Sequence, residues 1–173
     1  MIISILNIIK ALFNSIYWFE IEKKKTKLIK KTREKLIIIK SHRDIKSSHF
    51  RNYFINFPSK INRLKKNFYF LVLVSNKKGR RKEILCSGWL YRGKKWKITE
   101  INKEVKINNL ILLFDFLTPE NLRNRGYYKK ILELIVNKYR GKKLAIYSLS
   151  RNTKSLKAIR KAGFKLKRKI NGI

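Results

Sequence analysis

The chain has 173 residues, of which 44% are hydrophobic and 12% aromatic, enough for one ordinary core and too few for several domains. Lysine and arginine total 45 against 10 acids, a formal charge of +35 that favours phosphates, anionic lipid or acidic partners. The excess is also spread along the chain among Ile and Asn, as AT-rich coding would spread it. One cysteine, Cys86, excludes an internal disulfide and a cysteine-rich zinc site, and no metal site is expected.

At the N-terminus, MIISILNIIKALFNSIYWF lacks a basic residue before its apolar run and a small-residue cleavage site, so it does not read as an export signal. Ile2, Ile5, Leu6, Ile9, Leu12, Phe13, Ile16 and Tyr17 recur at spacings of three and four, which predicts an amphipathic helix. Lys10 would cost roughly 2.5–3.5 kcal/mol inside a bilayer, so the helix is expected to lie on a surface. That surface is either this protein's own core or a membrane attracted by EKKKTKLIKK behind it. Residues 1–33 are thus an N-terminal amphipathic helix and basic segment, and residues 34–173 a single domain. A cytoplasmic protein, with peripheral membrane contact as an option, is expected.

From there strand and helix patterns alternate. EKLIIIK (34–40) reads as a short buried strand, and SSHFRNYFINF (47–57) and PSKINRLKKN (58–67) as helical turns. FYFLVLV (68–74) and EILCSGWLY (83–91) flank a polar loop with Gly79, a hairpin signal. KWKITEI (95–101) alternates as a half-exposed strand should, and NNLILLFDFLT (108–118) is apolar on both faces, as a central strand is. YYKKILELIVNKY (127–139) predicts a helix with Ile131, Leu134, Ile135 and Lys138 on its buried face. KKLAIYSLS (142–150) is a strand, NTKSLKAIRKAG (152–163) a helix with Asn152 at its cap and Gly163 after its end, and FKLKRKI a last strand. The fold class is α/β: a mixed central sheet flanked by helices.

NLRNRGYY (121–128) therefore lies where a central strand hands over to a helix. The first turn of such a helix offers backbone N–H groups and the positive end of its dipole, an anion seat; Gly126 lets a phosphate approach, and Arg123 and Arg125 add charge. One glycine is too few for a dinucleotide fingerprint, and no Gly-Lys-Ser/Thr follows.

The order strand, Arg-x-x-Gly at a helix start, strand, then Asn152-Thr-Lys-Ser to Gly163-Phe164 closely resembles the GNAT superfamily of acetyl-CoA-dependent N-acetyltransferases, over residues 34–170. The most specific parts are TPENLRNRGYY and NTKSLKAIRKAGF, and the wording DFLT…RNRGYY is most similar to members found among surface-polysaccharide and lipopolysaccharide genes. The resemblance implies acetyl-CoA as co-substrate and an amine as acceptor. Phe116, Leu117 and Thr118 would hold its pantetheine arm. Arg123, Asn124, Arg125, Gly126, Tyr127 and Tyr128 would hold the phosphates, with Asn152 and Ser155 on the pantetheine side. Three positions depart from the pattern. Tyr128 stands where Gly or Ala is usual, Pro119 precedes Arg123 by four residues rather than three, and Ile159 replaces the tyrosine that often protonates the departing thiolate. Tyr147 or water would then serve as the acid.

Transfer to an amine needs a base, and Glu100 and Asp115 are the candidates among few acids; Asp115 is costly in an apolar strand unless it has a role or a partner, such as a lysine. His42 and His49 read as ordinary surface or core residues, and Cys86 as core packing. Two other classes stay open for so basic a chain. One is an RNA or ribosome-binding module with non-specific nucleic-acid affinity, and the other a membrane-surface protein on a degenerate GNAT fold.

Overall fold

The computed structural model describes residues 14–22, 33–45, 62–64, 67–75 and 83–172. A seven-stranded sheet is built from β1 (Ser15–Glu22), β2 (Glu34–Ile39), β3 (Phe68–Ser75), β4 (Ile84–Tyr91), β7 (Leu110–Leu117), β8 (Lys143–Leu149) and β9 (Lys165–Asn171). Its order is β2-β3-β4-β7-β8-β1-β9. β5 (Lys95–Ile98) and β6 (Lys103–Lys106) form a separate hairpin. Among the described residues the α-helices are a single turn, α1 (His42–Ile45), then α2 (Tyr127–Lys138) and α3 (Thr153–Lys161). The pair β7–β8 is parallel and the other pairs are antiparallel, so α2 is the crossover helix that a parallel neighbour requires.

Alternation decides which side chain meets which layer. In β3, Leu71 and Leu73 pack with Ile131, Leu132 and Ile135 of α2, while Phe70, Val72 and Val74 join Trp89 and Phe114 on the opposite face. Burying each such aliphatic side chain is worth about 1.5–3 kcal/mol, which is what docks a helix as short as α2. α3 adds Leu156 and Ile159 to the same layer. On the other face the hairpin is tied down through Ile98, Ile101 and Ile107, packed with Trp18 and Leu112.

Several expectations need correction. The N-terminal helix lies outside the described residues up to Phe13, and from Ser15 the chain is strand rather than helix. SIYWFEIE is β-branched and aromatic, and inserted between β8 and β9 it buries Ile16 and Trp18 on one face and Phe19 on the other. Ile16 and Tyr17 continued a helical spacing only by coincidence. β2 is an edge strand and mostly half-buried. The buried face of α2 carries Leu132 and Val136 beside Ile131 and Ile135, and Lys138 is exposed. KWKITEI is not one strand: it stops at Ile98, turns through a 3-10 segment (Thr99–Ile101) with Asn102 at φ 50°, and returns as β6. α1 had no counterpart in the periodicity, and the helical turns expected at 47–57 and most of 58–67 fall outside the described residues.

Candidate active site

The site begins with a break in the sheet. β7 pairs with β8 only from Leu110–Lys143 to Leu113–Ile146, yet β7 runs on to Leu117 and β8 to Leu149. On its other edge β7 carries a bulge: Ser87 faces Leu117 and Trp89 faces Phe114, so two steps of β4 span three of β7. Asp115 takes up the extra residue at φ 50°, and its carboxylate points out of the core to pair with Arg63. The expectation of a carboxylate buried in an apolar strand is thereby corrected, and Arg63 is a partner that the sequence reading did not name. Gly88 is needed opposite the bulge, since a Cβ there would stand 2.4 Å from the Phe116 ring.

The parted strands open a cleft of about 1210 Å³, larger than the roughly 300–1000 Å³ that holds one drug-sized ligand. Phe116, Leu117 and Thr118 line one wall and Ile146, Tyr147 and Ser148 the other. At one end lies the start of α2. Gly126 caps it at φ 78° and has no side chain to bond the first turn's amides, which leaves them and the dipole to the cleft. Arg123, Asn124 and Tyr127 line this end with Lys154, Lys157 and Lys161 of α3, whose spacing of three and four presents one basic face. Arg123 also reaches Glu120 at 3.2 Å.

Tyr128 departs from the expected use of its side chain. Its hydroxyl is 3.3 Å from Ser155 Oγ, which donates to it, and its ring is 5.3 Å from that of Phe116. The bulk that stands where Gly or Ala is usual thus packs against the bulge and α3. Burial pushes its phenol above the ordinary tyrosine range, the Ser155 hydrogen bond only partly offsetting this. The three residues between Pro119 and Arg123 form a 3-10 turn, Glu120–Leu122, with Leu122 buried, and this turn takes up the extra step. Asn152 caps α3, its side-chain oxygen accepting from Ser155 N at 3.1 Å.

The opposite end of the cleft is lined by Glu100, Asp115, Arg63, Trp96 and Phe114. Tyr147 faces them: Trp96 Nε1 donates to its hydroxyl at 3.3 Å. Burial first, and then the nearby Glu100 and Asp115 charges, raise its phenol well above the usual range, so the proton stays on at neutral pH. Cys86 is fully buried with Thr118 Oγ1 at 3.4 Å, and burial pushes its thiol up to about 11.

Of the residues singled out by sequence, the cleft gathers Glu100, Asp115, Tyr147, Phe116, Leu117, Thr118, Arg123, Asn124, Gly126, Tyr127, Tyr128, Asn152 and Ser155. Arg125 is exposed and outside the lining, and Ile159 is fully buried in the helix-side core rather than facing the cleft. Sequence reasoning missed Arg63, Phe114 and Trp96. Among the described residues no three His, Cys, Asp or Glu side chains are grouped to hold a metal, and no helix is long and apolar enough to cross a membrane.

No family model and no curated protein matches the sequence. Solved structures do. An acetyltransferase of the GNAT family from Colwellia psychrerythraea is similar at 16% identity over 89% of this chain and 53% of that one, with a TM-score of 0.51. A putative GNAT-family acetyltransferase from Novosphingobium aromaticivorans gives 12% identity, 90% and 61% coverage and 0.53. A functionally unknown conserved protein from Staphylococcus epidermidis gives 10%, 91% and 59%, and 0.59. The chain thus has the fold of GNAT acetyltransferases, and it spans between half and two thirds of these proteins' length.

Proposed function

We propose that the chain transfers an acetyl or other short acyl group from acetyl-CoA to a primary amine, and that the amine belongs to an amino sugar of a surface-polysaccharide precursor. The observation that carries the transfer is the parting of β7 from β8 at a bulge, directly in front of the uncapped α2 N-terminus. An extended, diphosphate-bearing thioester fits such a cleft: unpaired strand edges face its amide-containing arm, and helix amides with Arg123 and the α3 lysines face its phosphates. Bound acetyl-CoA would supply the activated carbonyl. The chain's residues would hold it, exclude water and manage two protons. Glu100 or Asp115 takes one from the amine, directly or through water, and the Tyr147 hydroxyl, which accepts from Trp96 Nε1, offers the other to the leaving sulfur. The amino-sugar acceptor rests on the likeness of DFLT…RNRGYY alone.

The reading is tested by following free thiol release from acetyl-CoA against a panel of amines. Amine-dependent release is expected, and its absence with every amine would sink the enzyme reading while sparing the fold. The charge favours a second reading as a basic surface protein at a cytoplasmic membrane face. Liposome binding lost on deleting residues 1–13 would support it.

A further inference from the structure

Glu100 and Asp115 are two of only ten acids in the chain, yet they meet at one end of one cleft. The walls there are aromatic. The Trp96 and Phe114 rings lie 4.4 Å apart, and Phe68 stands 6.3 Å from each. Carboxylates beside aromatic rings make a seat for a cation, because the ring quadrupole presents negative charge. A cation already sits in it. The Arg63 guanidinium pairs with Asp115 and lies 6.0 Å from the Phe114 ring centre and 5.9 Å from that of Trp89. Arg63 is not built into the core, for its side chain is 42% exposed.

We infer that this end binds the acceptor as a cationic amine whose carrier lays a ring or C–H face on the aromatic wall, as a sugar ring can, and that Arg63 is a resident cation which the acceptor's ammonium displaces from Asp115. The use made of the bound amine rests on the acyl-transfer reading; the binding does not. Trp96 is carried by the β5–β6 hairpin, outside the main sheet, so the hairpin supplies one wall of the seat. An anionic acceptor is disfavoured by the same geometry. To reach Arg63 it would have to strip the guanidinium from Asp115 and then sit against two carboxylates. Once displaced, Arg63 can turn to solvent, and proton loss to Glu100 or water then frees the amine to react.

The test uses benzylamine, D-glucosamine and D-glucosamine 6-phosphate as probes, read by quenching of tryptophan fluorescence, with Trp96→Phe to assign the signal. Arg63→Gln, or Arg63→Ala should the first not fold, is expected to tighten benzylamine and glucosamine about two- to fivefold, the reach of a lost competing cation on a partly exposed aromatic site. Asp115→Asn is expected to weaken both about tenfold. Weaker or unchanged amine binding in the Arg63 variants would overturn the inference. So would a 6-phosphate that binds more tightly than glucosamine and depends on Arg63, or no saturable quenching by any probe at tens of millimolar. A melting shift with acetyl-CoA, recorded on the same proteins, separates the two ideas: amine results as expected without that shift would sink acyl transfer and leave the cation seat standing.

Discussion

Gly126 has nothing within 4 Å of where a Cβ would stand, but its φ of 78° is a left-handed one. Gly126→Ala should therefore cost about 1 kcal/mol of stability and keep cofactor affinity, whereas Gly126→Glu should abolish it by placing a carboxylate before the phosphates. Equal effects of the two in a calorimetric titration with acetyl-CoA would mean that the turn matters only for folding. Arg123→Ala is expected to weaken the same binding about tenfold. At Cys86 a thiol held up to about 11 is protonated at neutral pH, and iodoacetamide should label it only after unfolding; rapid labelling of the native protein would refute its core placement. Ile159 shows where a matched pattern stopped short of geometry. The resemblance expects a tyrosine at this position, but the Ile159 side chain is fully buried beside Leu156 and Phe164, so Ile159→Tyr should destabilise by about 1–3 kcal/mol through overpacking rather than restore an acid. Whichever of Glu100 and Asp115 is the base, its amide variant should lower turnover about 10²- to 10⁴-fold with acetyl-CoA binding unchanged, and full activity in both variants would refute the assignment.

Among the elements, β7, α2, β8 and α3 were legible because each is bounded by its own chemistry: an apolar run, a turn with Gly126, an Asn152 cap and a Gly163 stop. β1 was not. Its first five residues, Ser15–Phe19, were read as the tail of a helix, because only the long-range slot between β8 and β9 selects the extended form. Asp115 in the bulge was equally hidden, since its partner Arg63 is 52 residues away in sequence. β1 offers a check of its own. Glu20 accepts from Trp18 Nε1 at 2.9 Å and pairs with Lys143 at 3.0 Å. Burial alone would raise its carboxyl, but these two partners outweigh burial and hold it below its ordinary 4.5. Its folded value being depressed, the stability it contributes is complete above the unfolded value and lost as pH falls through the folded one. Glu20→Gln should cost about 1–2 kcal/mol at pH 7, with the difference from wild type shrinking below about pH 4 in urea titrations. A constant difference across that range would remove the carboxylate from the account. Gly88→Ala should push Phe116 off its place and weaken cofactor binding as well as stability, through a contact of 2.4 Å.

For the whole molecule, the charge of +35 makes every phosphate ligand ambiguous, because a chain so basic attracts polyanions without a site. Screening separates the two cases. Non-specific attraction by scattered lysines falls steeply with salt, while a ligand threaded between parted strands keeps main-chain and apolar contacts that salt does not touch. The deciding measurement is a calorimetric titration of wild type and Gly126→Glu with acetyl-CoA at low salt and again near 0.5 M. One saturable site per chain that survives salt and vanishes in the glutamate variant is predicted. Binding that is unsaturable, lost in salt, or indifferent to Gly126→Glu would contradict the claim that the gap between β7 and β8 is an acyl-CoA seat.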